Sequence, residues 1–264
     1  MSATDGRSRP DSPIDSPTKW PAGGAVRVHH DPAALPRVGD EPGPHRFDDP
    51  RPRTVDRFLV RYAATTIRGC LLELLDWLRD NSEATAREQA VDTSDDSGLV
   101  SPASLPRWRA VDDFLAGRQV ATVTVTEPRV VSINDAKIQA LLDKEPVVRA
   151  VLDSEAAQLA LLEQSGGKVH LDNAAVRLST ETGRSVTQAC ALALYDMPAP
   201  PDILHYRSRH DDHEDCWAIY HHTKTTFAVA EPLSPDNDKH AAALRSVVEL
   251  WNLPLPPRWA ETPG

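Results

Sequence analysis

Apolar residues recur after position 66 at the spacing of an α-helix. Ile67, Leu71, Leu74 and Leu78 fall on one face, because residues three or four positions apart meet on the same side of a helix. The pattern predicts a helix from Ile67 to about Asp80 that packs this face against a hydrophobic core.

Other segments alternate between apolar and polar residues, or form short apolar runs rich in β-branched residues, as strands do. The predicted strands are 25–30, 58–63, 120–127, 130–133, 203–206, 216–221 and 227–230. Further helices are predicted at 83–91, 107–115, 135–142, 147–164, 180–195 and 239–251. Strands and helices in this order predict an α+β domain, a core of short strands with surrounding helices.

Proline and charge divide the chain further. Ten of the 23 prolines fall in the first 52 residues, and we expect residues 1–22 to be disordered. The acidic, polar stretch 81–104 is predicted to be a flexible insertion in a main domain that spans 23–231. Residues 232–264 are predicted to form a terminal helix and a proline-rich tail.

Composition narrows the classes of function. The net charge is −10 and there is no basic stripe with interleaved aromatic residues, so we expect no direct nucleic-acid partner. No apolar run reaches the roughly 20 residues of a membrane span, and we expect neither a membrane partner nor a secretory signal. The three cysteines, Cys70, Cys190 and Cys216, lack pair spacing, which favours a reducing, cytoplasmic location.

One compact stretch carries candidate chemistry. Arg46 lies in the loop HRFDDP, Tyr62 ends the next strand, and Glu73 lies on the following helix, away from its apolar face. A cation, an aromatic ring and an acid are the groups that hold the phosphates of a dinucleotide, stack its base and stabilise a sugar cation. Taken alone, Glu73 is more typical of a solvated helix residue and Arg46 of an ordinary loop arginine, while Tyr62 is equally consistent with a core residue.

The order of segments resembles the RES-domain family, which is named for an Arg, a Glu and a Ser. The matching segments, which arrive in the order of the family, are VRVHHDP at 26–32, GPHRFDDP at 43–50, VRYAATTIRGCLLELL at 60–75, RSVTQACALALY at 184–195 and ILHYRSRHDDHEDCWAIY at 203–220. Many members are toxins of toxin–antitoxin pairs with a fold related to ADP-ribosyltransferases. They consume NAD by hydrolysis, by phosphorolysis or by transfer of ADP-ribose.

This resemblance implies roles for individual residues. Arg46 and Arg27 would hold the pyrophosphate of NAD, Tyr62 would pack against nicotinamide, and Glu73 would bind the ribose and stabilise its cation. Val28 follows Arg27 where the family often has an aromatic residue.

The family serine matches two positions. Ser185 is predicted near a helix start, where a hydroxyl either caps the helix or binds phosphate, and Ser208 is predicted to follow a strand. Both serines are therefore candidate NAD ligands. The expected partners are NAD and an antitoxin with a helix-turn-helix domain.

Alternatives come from several classes. The same chemistry could transfer ADP-ribose to a macromolecule, or the chain could be a binding module without catalysis. The acidic, histidine-rich loop around His210, His213 and Cys216 invites a zinc interpretation, but its spacing fits no zinc motif and we expect no metal. The chain also lacks a G-x-S-x-G elbow and a G-x-G-x-x-G loop, which argues against a serine hydrolase and a Rossmann domain.

Overall fold

A computed structural model describes residues 17–36, 43, 45–78, 107–165 and 169–260. The predicted insertion at 81–104, with its helix at 83–91, lies outside these residues, as does most of the predicted disordered segment at 1–22. The described residues mix strands with helices, and both parallel and antiparallel strand pairs occur. The α+β class predicted from the sequence is therefore confirmed.

Eight strands occur in the described part of the chain. In chain order they are β1 (Ala25–His29), β2 (Val60–Ala64), β3 (Gln119–Val125), β4 (Val130–Ser132), β5 (Ile203–Arg207), β6 (Asp215–Tyr220), β7 (Thr225–Phe227) and β8 (Glu231–Pro232). The α-helices of the same residues are α1 (Ile67–Leu74), α2 (Arg107–Leu115), α3 (Ala136–Leu142), α4 (Pro146–Leu152), α5 (Glu155–Ser165), α6 (Asn173–Arg177), α7 (Glu181–Tyr195), α8 (Asp238–Leu250) and α9 (Pro257–Ala260). Two 3-10 turns lie at Thr54–Asp56 and Asp76–Leu78.

The chain forms two compact units, each built from segments that are distant in sequence. Unit 1 comprises residues 1–25, 35–63 and 124–226, and unit 2 comprises residues 26–34, 64–123 and 227–264. The described residues beyond 231, which the sequence predicts as a terminal part, thus group with two earlier segments in unit 2.

In unit 1, β4 runs parallel to β5, with Ser132 opposite His205. Strand β5 pairs antiparallel with β6, and Arg207 lies opposite Asp215. These strands are buried along nearly their whole length, as expected where both faces of a sheet are covered. Helix α7 packs against α4 and α6, and its residues 186–194 are all buried, because the helix is apolar around most of its circumference.

In unit 2, Val26 of β1 lies opposite Ala64, the last residue of β2, in an antiparallel pairing. Strand β3 pairs with β8 through Gln119 and Pro232. Helix α1 packs against α8, so the apolar stripe predicted from residue 67 onwards is buried as expected.

Several predicted boundaries shift. The helix predicted to reach Asp80 ends at Leu74, and a 3-10 turn follows. The helix predicted over 147–164 is divided into α4 and α5, because the Ser154 hydroxyl accepts the Ala157 N–H at 3.3 Å and starts a new helix. Strand β7 ends at Phe227, where the sequence predicts a strand beginning. Helices α6 and α9 and strand β8 were not predicted, since each is too short to show a period.

Candidate functional site

The loop that carries Arg46 is closed by its own side chains. The Asp48 carboxylate accepts the backbone N–H of His45 at 2.9 Å, which bends residues 45–48 into a turn. Gly43 packs directly against this turn. A Cβ atom at that position would lie 2.1 Å from the Asp48 carboxylate oxygen, so no larger residue fits without movement.

Two outside residues hold the same turn in place. Tyr62 lies in the middle of β2, so the prediction that it ends the strand is wrong. Its hydroxyl donates to Asp48 Oδ1 at 2.8 Å and accepts the Phe47 N–H at 3.0 Å. Burial and the adjacent Asp48 carboxylate raise the pKa of Tyr62 well above its ordinary value, so the phenol stays a donor. From α7, Gln188 Nε2 donates to the carbonyls of Gly43 and His45, both at 2.9 Å. The turn is therefore preorganised.

This turn carries Arg46 as a buried cation. Arg46 is only 8% exposed, and its guanidinium carbon lies 5.2 Å from the ring centroids of both Phe47 and Tyr206. Nη2 donates to the Val176 carbonyl at 2.6 Å. Among the described residues, neither Nε nor Nη1 has a hydrogen-bond partner. Leaving buried donors of a charged group unpaired costs about 1–3 kcal/mol or more, and an acceptor-rich anion would satisfy both donors.

A second arginine follows the carbonyl that Arg46 binds. Arg177, the last residue of α6, forms an ion pair with Asp212 in the β5–β6 connection. Its Nη2 also lies 3.5 Å from the carbonyl oxygens of Ser208 and Arg209. Arg177 thus directly follows Val176, whose carbonyl oxygen accepts a hydrogen bond from Arg46.

The two candidate serines have different surroundings within unit 1. Ser185 lies one turn inside α7 and donates back to the Glu181 carbonyl at 3.1 Å. The residue that caps this helix is Thr180, so the helix-start position predicted for Ser185 is wrong. Ser208 is fully buried, and its hydroxyl accepts the His210 N–H at 3.2 Å, as expected for a residue that shapes a turn after a strand.

Arg27 and Glu73 belong to unit 2. Arg27 on β1 is 4% exposed, and its Nη1 donates to the carbonyls of Pro32 at 2.6 Å and Ala34 at 2.8 Å, which fixes the chain after the strand. Glu73 lies in the last turn of α1 and is half-buried. The phosphate-binding role of Arg27 and the ribose-binding role of Glu73 stay predictions.

Sequence reasoning missed a polar chain across three strands of unit 1. Ser132 Oγ lies 2.9 Å from His205 Nδ1, and His205 Nε2 lies 2.9 Å from Asp215 Oδ1. Trp217 packs on the imidazole with ring centroids 4.7 Å apart. Burial lowers the pKa of His205, while the Asp215 carboxylate opposes that shift. No sequence signal could find this chain, because it depends on strand register.

The structure also bears on metal binding, membrane-spanning helices and the cysteine thiols. Among the described residues, no group of three His, Cys, Asp or Glu side chains is arranged to hold a metal ion. Within the same residues, no helix has both the length and the hydropathy to cross a membrane. Cys70, Cys190 and Cys216 are buried and form no disulfide, and burial raises the pKa of the Cys190 thiol far above its ordinary value. That thiol is therefore protonated and unreactive.

Comparison with known proteins finds no matching family model, no matching curated protein and no matching solved structure.

Proposed function

We propose that this protein is an NAD-degrading enzyme that cleaves the bond between nicotinamide and ribose, with water or phosphate as the acceptor. The observation that carries the proposal is Arg46, a buried guanidinium on a preorganised turn with two unpaired donors. The planar fork of arginine matches the oxygens of a phosphate group, and a buried setting strengthens that interaction.

The roles of the other residues follow the resemblance to the RES-domain family. Nicotinamide leaves as a neutral group, so the reaction mainly requires that positive charge be stabilised as it develops on the ribose. Glu73 would supply that negative charge and accept the ribose hydroxyls. Tyr62 would pack against nicotinamide, and Arg27, Ser185 and Ser208 would bind the remainder of NAD. An ADP-ribosyltransferase-like core is part of the same proposal.

The biological setting is proposed on the same ground. An enzyme that depletes NAD would be toxic to its own cell, so we propose that it acts in the cytoplasm as the toxin of a toxin–antitoxin pair. Its partner would be an antitoxin with a helix-turn-helix domain and a segment that blocks NAD binding. Cells that lack such a partner should then tolerate expression of inactive variants but not of the wild-type protein.

The test is nicotinamide release. Purified protein is incubated with NAD, with and without phosphate, and the products are separated by chromatography. We expect the wild type to release nicotinamide, and Glu73→Gln to lower the rate at least about 100-fold, because it removes the charge while keeping the shape. Glu249→Gln, an exposed residue of α8, is the control and should retain full activity.

The companion product identifies the acceptor. Free ADP-ribose would indicate hydrolysis, and ADP-ribose 1″-phosphate would indicate phosphorolysis. Label that remains on a macromolecule when the incubation includes cell lysate would instead establish an ADP-ribosyltransferase. Full activity of Glu73→Gln would contradict the assignment of that residue.

The competing proposal is a binding module that retains the fold without catalysis. It is favoured by Arg27, whose Nη1 already binds two backbone carbonyls. A folded wild-type protein that binds ADP-ribose, releases no nicotinamide and labels no macromolecule would support this alternative.

A further inference from the structure

The end of α6 carries a second cation, one residue after the carbonyl that Arg46 binds. Arg46 Nη2 binds the carbonyl of Val176, and Arg177 is the next residue of the chain. Tyr206, whose ring packs on Arg46, lies two residues before Ser208, whose carbonyl faces Arg177. The same two segments therefore supply the surroundings of both guanidinium groups.

The bonds of Arg177 are of a kind that a ligand can replace. Its side chain is 33% exposed and that of its partner Asp212 is 57% exposed, and an ion pair in contact with water contributes little to stability. The contacts of Nη2 with the Ser208 and Arg209 carbonyls are long, at 3.5 Å. Arg46, by contrast, is buried and, in the part of the chain that the structure describes, has two donor nitrogens without hydrogen-bond partners.

A dinucleotide presents a diphosphate, which has two negative charges, whereas Arg46 supplies one positive charge. We infer that Arg177 is the second ligand of the diphosphate, and that Asp212 is a carboxylate that competes with the ligand and is displaced when it binds. The inference rests on the proposed function, because NAD is the source of the diphosphate, and it adds a cation that the resemblance does not imply.

Displacement of Asp212 by the ligand predicts that removing its charge changes ligand affinity in a diagnostic direction. If Asp212 competes with the ligand, Asp212→Asn should tighten binding, because the asparagine amide holds Arg177 less strongly. If Asp212 instead holds Arg177 in a binding position, the same substitution should weaken binding. A purely structural clamp would leave affinity unchanged. The sign of the effect therefore separates the three roles.

Isothermal titration of the full-length protein with ADP-ribose, and separately with inorganic pyrophosphate, tests the inference. We expect Arg177→Gln to weaken both affinities about 10- to 100-fold, as for the loss of a charge-assisted hydrogen bond. Arg177→Lys should restore part of the loss, and Asp212→Asn should tighten binding roughly 2- to 5-fold. The double variant Arg177→Gln/Asp212→Asn should bind like Arg177→Gln alone.

Arg149→Gln is the matched control. Arg149 lies in the same unit, pairs with Asp143 and Asp153, and donates to the Val169 carbonyl at 3.1 Å, so, like Arg177, it binds both aspartate and a backbone carbonyl. Its substitution should leave both affinities unchanged. Circular dichroism of each variant establishes that it is folded.

The outcomes distinguish the inference from the proposed function. If wild-type protein releases nicotinamide while Arg177→Gln binds ADP-ribose as tightly as wild type, the inference is overturned and the function stands. If no nicotinamide is released but the Arg177 and Asp212 variants shift affinity in opposite directions, the enzyme proposal fails and the two-arginine anion site stands. Equal losses in Arg177→Gln and Arg149→Gln would overturn the inference.

Discussion

Arg46 and Arg51, five residues apart in unit 1, lie in similar aromatic surroundings and differ in their anions. The guanidinium carbon of Arg46 lies 5.2 Å from the ring centroids of both Phe47 and Tyr206, and that of Arg51 lies 5.7 Å from the ring centroids of both Phe58 and Tyr195.

Arg51 has an internal anion. The carboxylate of Asp49 accepts both Nε and Nη2, and this pairing raises the pKa of Arg51. Asp49 also accepts the Phe58 N–H at 2.7 Å. Arg46 has one carbonyl and, among the described residues, no carboxylate.

The difference separates structure from function. A cation whose guanidinium is paired with a buried carboxylate stabilises the fold and has fewer donors left with which to bind a ligand. A buried cation held in the same way but with free donors reduces stability, and such a cost is typical of binding sites. Four predictions test this contrast.

The largest effect is expected where the internal anion is removed. Asp49→Ala deletes a carboxylate with 1% side-chain exposure and leaves Arg51 and the Phe58 N–H without their acceptor. The free energy of unfolding should fall by about 2–4 kcal/mol, because the backbone N–H groups of Phe58 and Arg51 both lose their acceptor. Urea denaturation measures this loss. A change below about 1 kcal/mol would show that Asp49 is not structural.

Replacement of Arg46 should affect ligand binding rather than stability. Arg46→Met replaces unpaired buried donors with an apolar chain of similar length, so the free energy of unfolding should change by no more than about 1 kcal/mol. Binding of ADP-ribose should be lost. Arg53→Gln, an exposed arginine of the same unit, is the control. A loss of stability as large as that of Asp49→Ala would make Arg46 a structural residue.

Replacing the aromatic residues that contact Arg46 or Arg51 should have a smaller effect on ligand binding. Tyr206→Leu removes one ring from Arg46 and should weaken ADP-ribose binding roughly 5-fold, the scale of one cation–π contact. Tyr195→Leu removes the equivalent ring from Arg51 and should leave that affinity unchanged. Titration calorimetry of the two variants decides the point, and equal losses would contradict it.

The smallest effect concerns His205, a polar group whose two ring nitrogens both have partners. Burial lowers its pKa below the ordinary 6.5, so the unfolded chain binds more protons just below that pH. Stability should therefore fall as the pH falls from 6.5 through the lowered pKa. Asp215→Asn removes the interaction that raises this pKa, so the fall should steepen.

Unfolding at a series of pH values between 5 and 8 checks this dependence. Because the Ser132–His205–Asp215 chain is structural in this view, ADP-ribose affinity at pH 7.5 should not change in the variant. A stability that rises on acidification would contradict the sign of the pKa shift. A change in affinity at pH 7.5 would show that the chain belongs to the binding site.

Much of the fold was predictable from local pattern. Helix α2 at Arg107–Leu115 and helix α3, capped by Asp135, form where periodicity and a capping residue agree. The prediction was wrong at Asp80, because the apolar stripe continues past the point where the helix ends. The division at Ser154 was missed because two adjoining helices share one apolar pattern.

The candidate site was predictable only in part. The resemblance singled out Arg46, and the structure shows how it differs from Arg51: among the described residues, its Nε and Nη1 lack hydrogen-bond partners. The resemblance could not show that the Tyr62 hydroxyl and Gln188 hold the turn in place, because both contacts join separate segments of the chain. Ser185 was misplaced because several residues near a helix start can cap it, and only backbone geometry selects Thr180.

The sequence by itself determined which segments become helices and strands, because periodicity and capping act between residues a few positions apart. It also identified a cation, a ring and an acid in one short stretch. The tertiary structure alone decided which buried polar groups find partners, since those partners are often far away in the chain, as Gln188 and Gly43, 145 positions apart, show. Hydrogen-bond satisfaction, which distinguishes Arg46 from Arg51, is thus a property of the folded chain.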